Sequence, residues 1–177
     1  MTLDVGELTA GKVEIAELIE SSKYRKAYAL TCALLERYVG CTDLLLNLAR
    51  LIQLLPDEQE GDLSLDDVAL VLNAACIFSK NDPTPRVEIG FFHYAVQADS
   101  HIALAHFESA SQVALKGLQN ALIGQAKCKA DLGDMEGAHA MVAKLNGLFP
   151  DEIYGPIFDL ELDLSIVPRY DQSAQDG

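Results

Sequence analysis

Basic residues are scarce in this sequence. Thirteen Lys and Arg stand against 27 Asp and Glu, a formal charge of -14. A surface of that sign repels phosphate at long range, and neutralising phosphate is the main source of nucleic-acid affinity, so nucleic acid is not an expected partner. Cysteine is sparse as well. Cys32, Cys41, Cys76 and Cys128 form no C-x-x-C pair, and no His stands at zinc-finger spacing, which argues against a disulfide framework and for a reducing compartment. Three of them lie among apolar residues in helical runs, where Cys packs as a small core residue. Cys128 has Lys127 and Lys129 beside it, which would favour the thiolate. Its register with the ridge alanines predicts burial instead. Long apolar runs are missing: none approaches the roughly 20 residues of a membrane span, so no membrane is expected. The opening Met1-Thr2-Leu3-Asp4-Val5-Gly6-Glu7 has neither a basic start nor an apolar stretch. No secretion signal is expected from it, and the cytoplasm is the expected location.

Motifs of chemistry are equally thin. There is no G-x-S-x-G, no Walker loop and no G-x-G-x-x-G. Asp66 and Asp67 point different ways on a helix and make a poor acid/base couple. The acidic stretch Asp57 to Asp67 lacks the alternation of a calcium loop: counted from Asp57, Gly61 is fifth rather than sixth, and no Glu stands at twelve. It reads as a solvated loop, with docking of a basic partner as its functional version. His93, His101 and His106 are close in sequence, but His101 and His106 are five apart and diverge by about 140° on a helix. His93 lies on the preceding helix and can meet only one of them. A zinc site is therefore disfavoured, and no cofactor is expected.

What is present is helical periodicity almost throughout, with no alternating Val/Ile/Thr run and no Asn-Gly hairpin turn. The clearest unit runs from Gln119 to Pro150. Leu122, Ala126 and Ala130 recur every four residues. Gly133 allows a left-handed backbone that ends one helix, and Asp134 caps the next. Ala138 is small enough for two helices to approach, Val142 and Leu145 follow on its face, and Pro150 stops the helix. This pattern resembles the tetratricopeptide repeat, a helix-turn-helix unit of about 34 residues. Ala126, Gly133-Asp134, Ala138, Val142, Leu145 and Pro150 fill the family's places. Leu122 stands where the family prefers Trp, which this chain lacks.

Three weaker units precede it. Ala103 lies 35 residues before Ala138, with Phe107 and Ala110 at the offsets of Val142 and Leu145; Ala69 lies 34 before Ala103, and Ala27 lies 42 before Ala69. The excess falls in the loop Pro56 to Ser64. Leu45, Leu48, Ala49 and Ile52 form the ridge of the second unit, and Thr31 and Leu34 follow Ala27. Ser64-x-x-Asp67 resembles a capping box, and Thr84 with Pro85 opens a helix. The pattern predicts nine helices, near 11–21, 24–39, 43–55, 65–80, 85–98, 100–115, 118–132, 135–148 and 152–165. The expected fold is all-α: a right-handed superhelical stack of antiparallel helix pairs, an αα solenoid, with a C-terminal capping helix. A single domain over 1–167 is expected, with repeats near 8–40, 42–82, 84–116 and 119–150, a capping helix at 152–165, and a disordered tail at 168–177.

The resemblance implies that the first helix of each pair lines a concave groove. It places Leu46, Arg50 and Gln53 there from the second repeat, Glu88, Phe92 and Val96 from the third, and Ile123, Lys127 and Asp131 from the fourth. Lys12, Ala16 and Glu20 are the counterparts in the first. Arg50 and Lys127 would offer charge-assisted hydrogen bonds, and Phe92 and Ile123 apolar contact. The alternative is that Phe92 and Ile123 are partly buried while Arg50 and Lys127 are merely solvated. Ala16 and Glu20 replace the Asn and Lys with which some family members clamp a C-terminal carboxylate, which disfavours that mode. The expected function is a protein-interaction adaptor or chaperone-like module, not an enzyme, that binds another protein or a peptide of basic or amphipathic character. The alternatives are a helical metal-dependent enzyme using His93, His101 or His106, and a structural homodimer formed through Phe91, Phe92 or the C-terminal helix.

Overall fold

The structure, a computed structural model, describes residues 5–55, 59 and 61–150. They form seven α-helices: α1 Val5–Glu20, α2 Tyr24–Arg37, α3 Thr42–Leu54, α4 Val68–Phe78, α5 Thr84–Ala95, α6 Ser100–Asp131 and α7 Met135–Leu148. A 3₁₀ turn, Leu65–Asp67, leads into α4. No strand occurs among the described residues. The chain divides into two compact units between Gly117 and Leu118, a boundary that falls within α6. The expected capping helix at 152–165 and the tail at 168–177 lie outside the described residues.

In the first unit each of α1 to α4 packs on the helix that follows it, and α3 also meets α5. The connections of three to five residues between α1 and α2, α2 and α3, and α4 and α5 favour antiparallel neighbours. The larger core takes Ala27 and Tyr28 from α2, Leu48, Ala49, Leu51 and Ile52 from α3, Val68 and Leu72 from α4, and Ile89 and Phe92 from α5. Ile15, Leu34, Tyr38 and Leu44 form a second cluster between α1, α2 and the start of α3. Thr31 is wholly buried and satisfies its hydroxyl by donating to the Ala27 carbonyl at 2.7 Å. Gly40, at φ +85°, turns the chain into α3 and carries the Phe78 ring against it, 2.7 Å from where a Cβ would stand.

The loop into α4 is fastened by polar contacts. Arg25 pairs with Asp62, which also accepts from the Gln59 N–H at 2.9 Å. The Tyr28 hydroxyl accepts from the Leu63 N–H at 2.9 Å. Asp67 accepts from both the backbone N–H and the hydroxyl of Ser64, at 2.8 and 2.9 Å, as the Ser-x-x-Asp spacing predicts.

The second unit packs the C-terminal part of α6 against α7 through Leu122 and Leu145, with Ile123, Met141, Val142 and Phe149 around them. Ala126 and Ala138 are buried, Gly133 sits at φ +81°, and Asp134 caps α7 by accepting from the Gly137 N–H at 2.9 Å. Each follows the sequence pattern.

Four expectations are corrected. The helices predicted at 100–115 and 118–132 are one continuous helix, because Lys116-Gly117 holds neither a proline nor a capping side chain and Gly117 keeps helical backbone. In α4 the buried series is Val68, Leu72 and Ala75, so Val68, not Ala69, is the counterpart of Ala27, Ala103 and Ala138. Thr84 is not the cap of α5; the Asp82 carboxylate accepts from the Thr84 N–H at 2.9 Å. Cys128 is exposed rather than buried, two positions from buried Ala126 and hence on the opposite side of α6.

Candidate functional site

The expected groove residues come from the first helix of each pair. In the first unit these are α1, α3 and α5, and ion pairs run from one to the next. Lys12 of α1 pairs with Asp43 at the start of α3. Arg50 of α3 meets Glu88 of α5 at 3.4 Å. The hydrogen bond to Asp43 raises the Lys12 pKa above its ordinary value, so the ammonium is retained at neutral pH. Behind this row α2 is tied to α1 by the Arg37–Glu7 pair and by the Tyr38 hydroxyl, which donates to Glu7 at 3.1 Å.

Of the nine groove candidates, Arg50 and Glu88 are the two that the structure joins directly. Arg50 is exposed and Glu88 half-buried, with 55% and 40% of their side-chain surface open. Gln53 lies one turn beyond Arg50, exposed, with its amide donating to the Ala49 carbonyl. Leu46 is half-buried and packs against the larger core. Val96 is exposed at the C-terminal end of α5. Ala16 and Glu20 lie exposed on α1.

Phe92 is a correction. It is 3% exposed and part of the core, so it offers no anchor to a partner. The buried face of α5 runs Pro85, Ile89, Phe92 and His93, at helical spacing, and this turns Phe91 outward in its place.

In the second unit Ile123 is half-buried against Leu122 and Leu145, while Lys127 and Asp131 are exposed. Lys129 pairs with Asp134 at 2.7 Å. That contact and the Gly137 N–H hold the Asp134 carboxyl below the usual carboxylate range. No family model matches the chain, and no curated protein matches it. The tetratricopeptide resemblance therefore rests on the chain's own residues.

The expectation that His93 can meet only one of His101 and His106 is met. His93 meets His106 alone, ring on ring, with centroids 5.3 Å apart, while His101 is exposed. Among the described residues no three His, Cys, Asp or Glu side chains gather as a metal would require. No helix among them is long and apolar enough to cross a membrane. Sequence reasoning missed Asp43 as the partner of Lys12. It also missed the outward apolar side chains Leu70, Ile77 and Phe78 of α4 and Tyr94 of α5, beside the Phe91 already named as a dimer candidate. In α4 the signal was masked because every residue from Val68 to Leu72 is apolar, so no polar face marks the outside.

Proposed function

We propose that this chain is a protein-interaction module of tetratricopeptide-like, superhelical design, an adaptor or chaperone-like protein that holds a segment of another protein along its first helices. The observation that carries the reading is the row α1, α3 and α5, linked by Lys12–Asp43 and Arg50–Glu88. Supporting it is the recurrence of a fully buried small or β-branched residue at Ala27, Val68, Ala103 and Ala138, the last three at intervals of 35. A repeated unit whose second helix begins on a closely packed residue exposes equivalent strips of its first helices, and such strips suit an extended or helical peptide. Arg50 and the half-buried Glu88, adjacent to each other, present one charge of each sign to the backbone or side chains of that peptide. The strong acidity of the chain favours a basic or amphipathic partner and speeds its approach at low salt.

The test is a selection of displayed random peptides on the full chain, followed by titration of the selected peptides against Arg50→Glu and, separately, Lys127→Glu. Loss of binding by tenfold or more with Arg50→Glu supports the row in the first unit. Peptides that bind both variants as tightly as the wild type would remove it.

A further inference from the structure

Helices α5 and α6 meet through a small set of rings. Gly90 of α5 lies under Phe107 of α6, so that a Cβ would stand 2.8 Å from the ring. Phe91 and Phe107 cross edge to face with centroids 5.0 Å apart. Beside them His93 and His106 lie face to face, 5.3 Å between centroids and 4° between planes. His93 is 8% exposed, and its Nδ1 is buried without a hydrogen-bond partner.

The surrounding charges do not favour a cation there. Arg86 of α5 acts on His106 with its own positive charge, and its field also reaches the Cys76 thiol of α4, which burial keeps neutral. Its guanidinium donates to the carbonyls of Lys80 and Asp82. The nearby acids are engaged or face solvent. Glu88 of α5 pairs with Arg50 of α3. Asp99 accepts from the N–H groups of His101 and Ile102 at the start of α6. Glu108 of α6 is exposed.

We propose that the His93–His106 stack is an acid-sensitive latch between α5 and α6, closed while His106 is neutral and released when that ring takes up a proton. A neutral His106 ring stacks on His93 with no charge repulsion between them. A proton on His106 gives up hydration in this packed site and lies within the field of Arg86. Burial first, then the fields of His93 and Arg86, push the His106 pKa below its ordinary 6.5. The folded chain therefore resists a proton that the unfolded chain accepts. The stabilisation is complete above pH 6.5 and falls away as pH drops from there through the lower folded value. Carboxylates held below 3.8 act in a separate, more acidic window. The latch depends on the packing of α5 on α6 and not on the groove reading.

The experiment follows the unfolding midpoint of the full chain from pH 8 to pH 5, beside His106→Phe, which keeps a ring but cannot titrate, and His101→Gln as an exposed control. The wild type and His101→Gln are expected to lose roughly 2–4 °C more over this range than His106→Phe. A flat wild-type profile, or a His106→Phe profile that falls in parallel with the wild type, overturns the latch. Should His106→Phe fail to fold, ring titration of the wild type by NMR decides. A His106 midpoint below 6.5, with the Phe107 ring signals shifting over the same pH range, supports the proposal. A midpoint at or above 6.5 overturns it.

Discussion

The side chains that decide this fold are small ones. Ala27 and Ala138 have no exposed surface, and Ala103 has 1%. Each marks a place where two helices approach too closely for a larger residue. Ala27→Leu and Ala138→Leu should each cost about 1–3 kcal/mol by overpacking, read as a lower urea midpoint with an unchanged slope. An unaltered midpoint would mean the space between those helices is not filled. The exposed pair Arg50–Glu88 belongs to the other extreme. Glu88→Gln should change stability by less than about 1 kcal/mol, because a solvated ion pair of this kind contributes little. A loss of peptide binding in that variant would then report recognition rather than unfolding. The carboxyls of Asp62, Asp67 and Asp134 are held below their ordinary 3.8 by Arg25, by Ser64 and by Lys129 respectively. Their stabilisation is present above pH 3.8 and is lost as pH falls through the lower folded values. Asp134→Asn should therefore flatten the acid limb of the stability profile below pH 3.8, and an identical limb in wild type and variant would count against the cap.

Among the elements, α6 departs furthest from the pattern read in the sequence. It runs unbroken over 32 residues past Gly117, where a Cβ would meet nothing within 4 Å. Gly117→Ala should stabilise the chain by up to about 1 kcal/mol, and Gly117→Pro should destabilise it by about 3 kcal/mol. If Gly117→Pro were neutral in thermal unfolding, the helix would be interrupted there in solution. Most helices were legible because their inward residues recur every three or four positions against a polar background, as with Ala27, Thr31 and Leu34 or Leu45, Leu48, Ala49 and Ile52. Where that background disappears, register disappears with it. Val68-Ala69-Leu70-Val71-Leu72 reads equally well one residue either way, and the small size of Ala69 favours the wrong register. Phe91-Phe92 posed the same ambiguity in α5, and the groove was assigned the ring that packs inward. Arg50 and Glu88 fall in separate repeats of the sequence pattern, and no local signal announces that they touch. The pairing of His93 with one partner alone did follow from spacing, since it needed only helical geometry and a turn.

At the scale of the whole chain, the two units differ in how much they bury. The first holds two clusters fed by five helices, whereas the described core of the second centres on Leu122 and Leu145. Amide hydrogen exchange should accordingly be faster in α7 than in α3, by tenfold or more at the most protected positions. Equal protection would mean that the second unit gains stability from residues beyond Pro150. The order of packing in the first unit has a kinetic side. Each helix meets chiefly its neighbour in the chain, so few contacts require a long loop to close, and refolding on a millisecond or shorter timescale is expected of such a topology. The same order suits synthesis from the N-terminus. The cluster of Ile15, Leu34, Tyr38 and Leu44 has all its members before α4 has been translated, and the larger core waits for Phe92. A nascent chain halted before α5 would thus expose Leu51 and Leu72 to the ribosome's surroundings, and release from that vulnerable stage arrives with one helix.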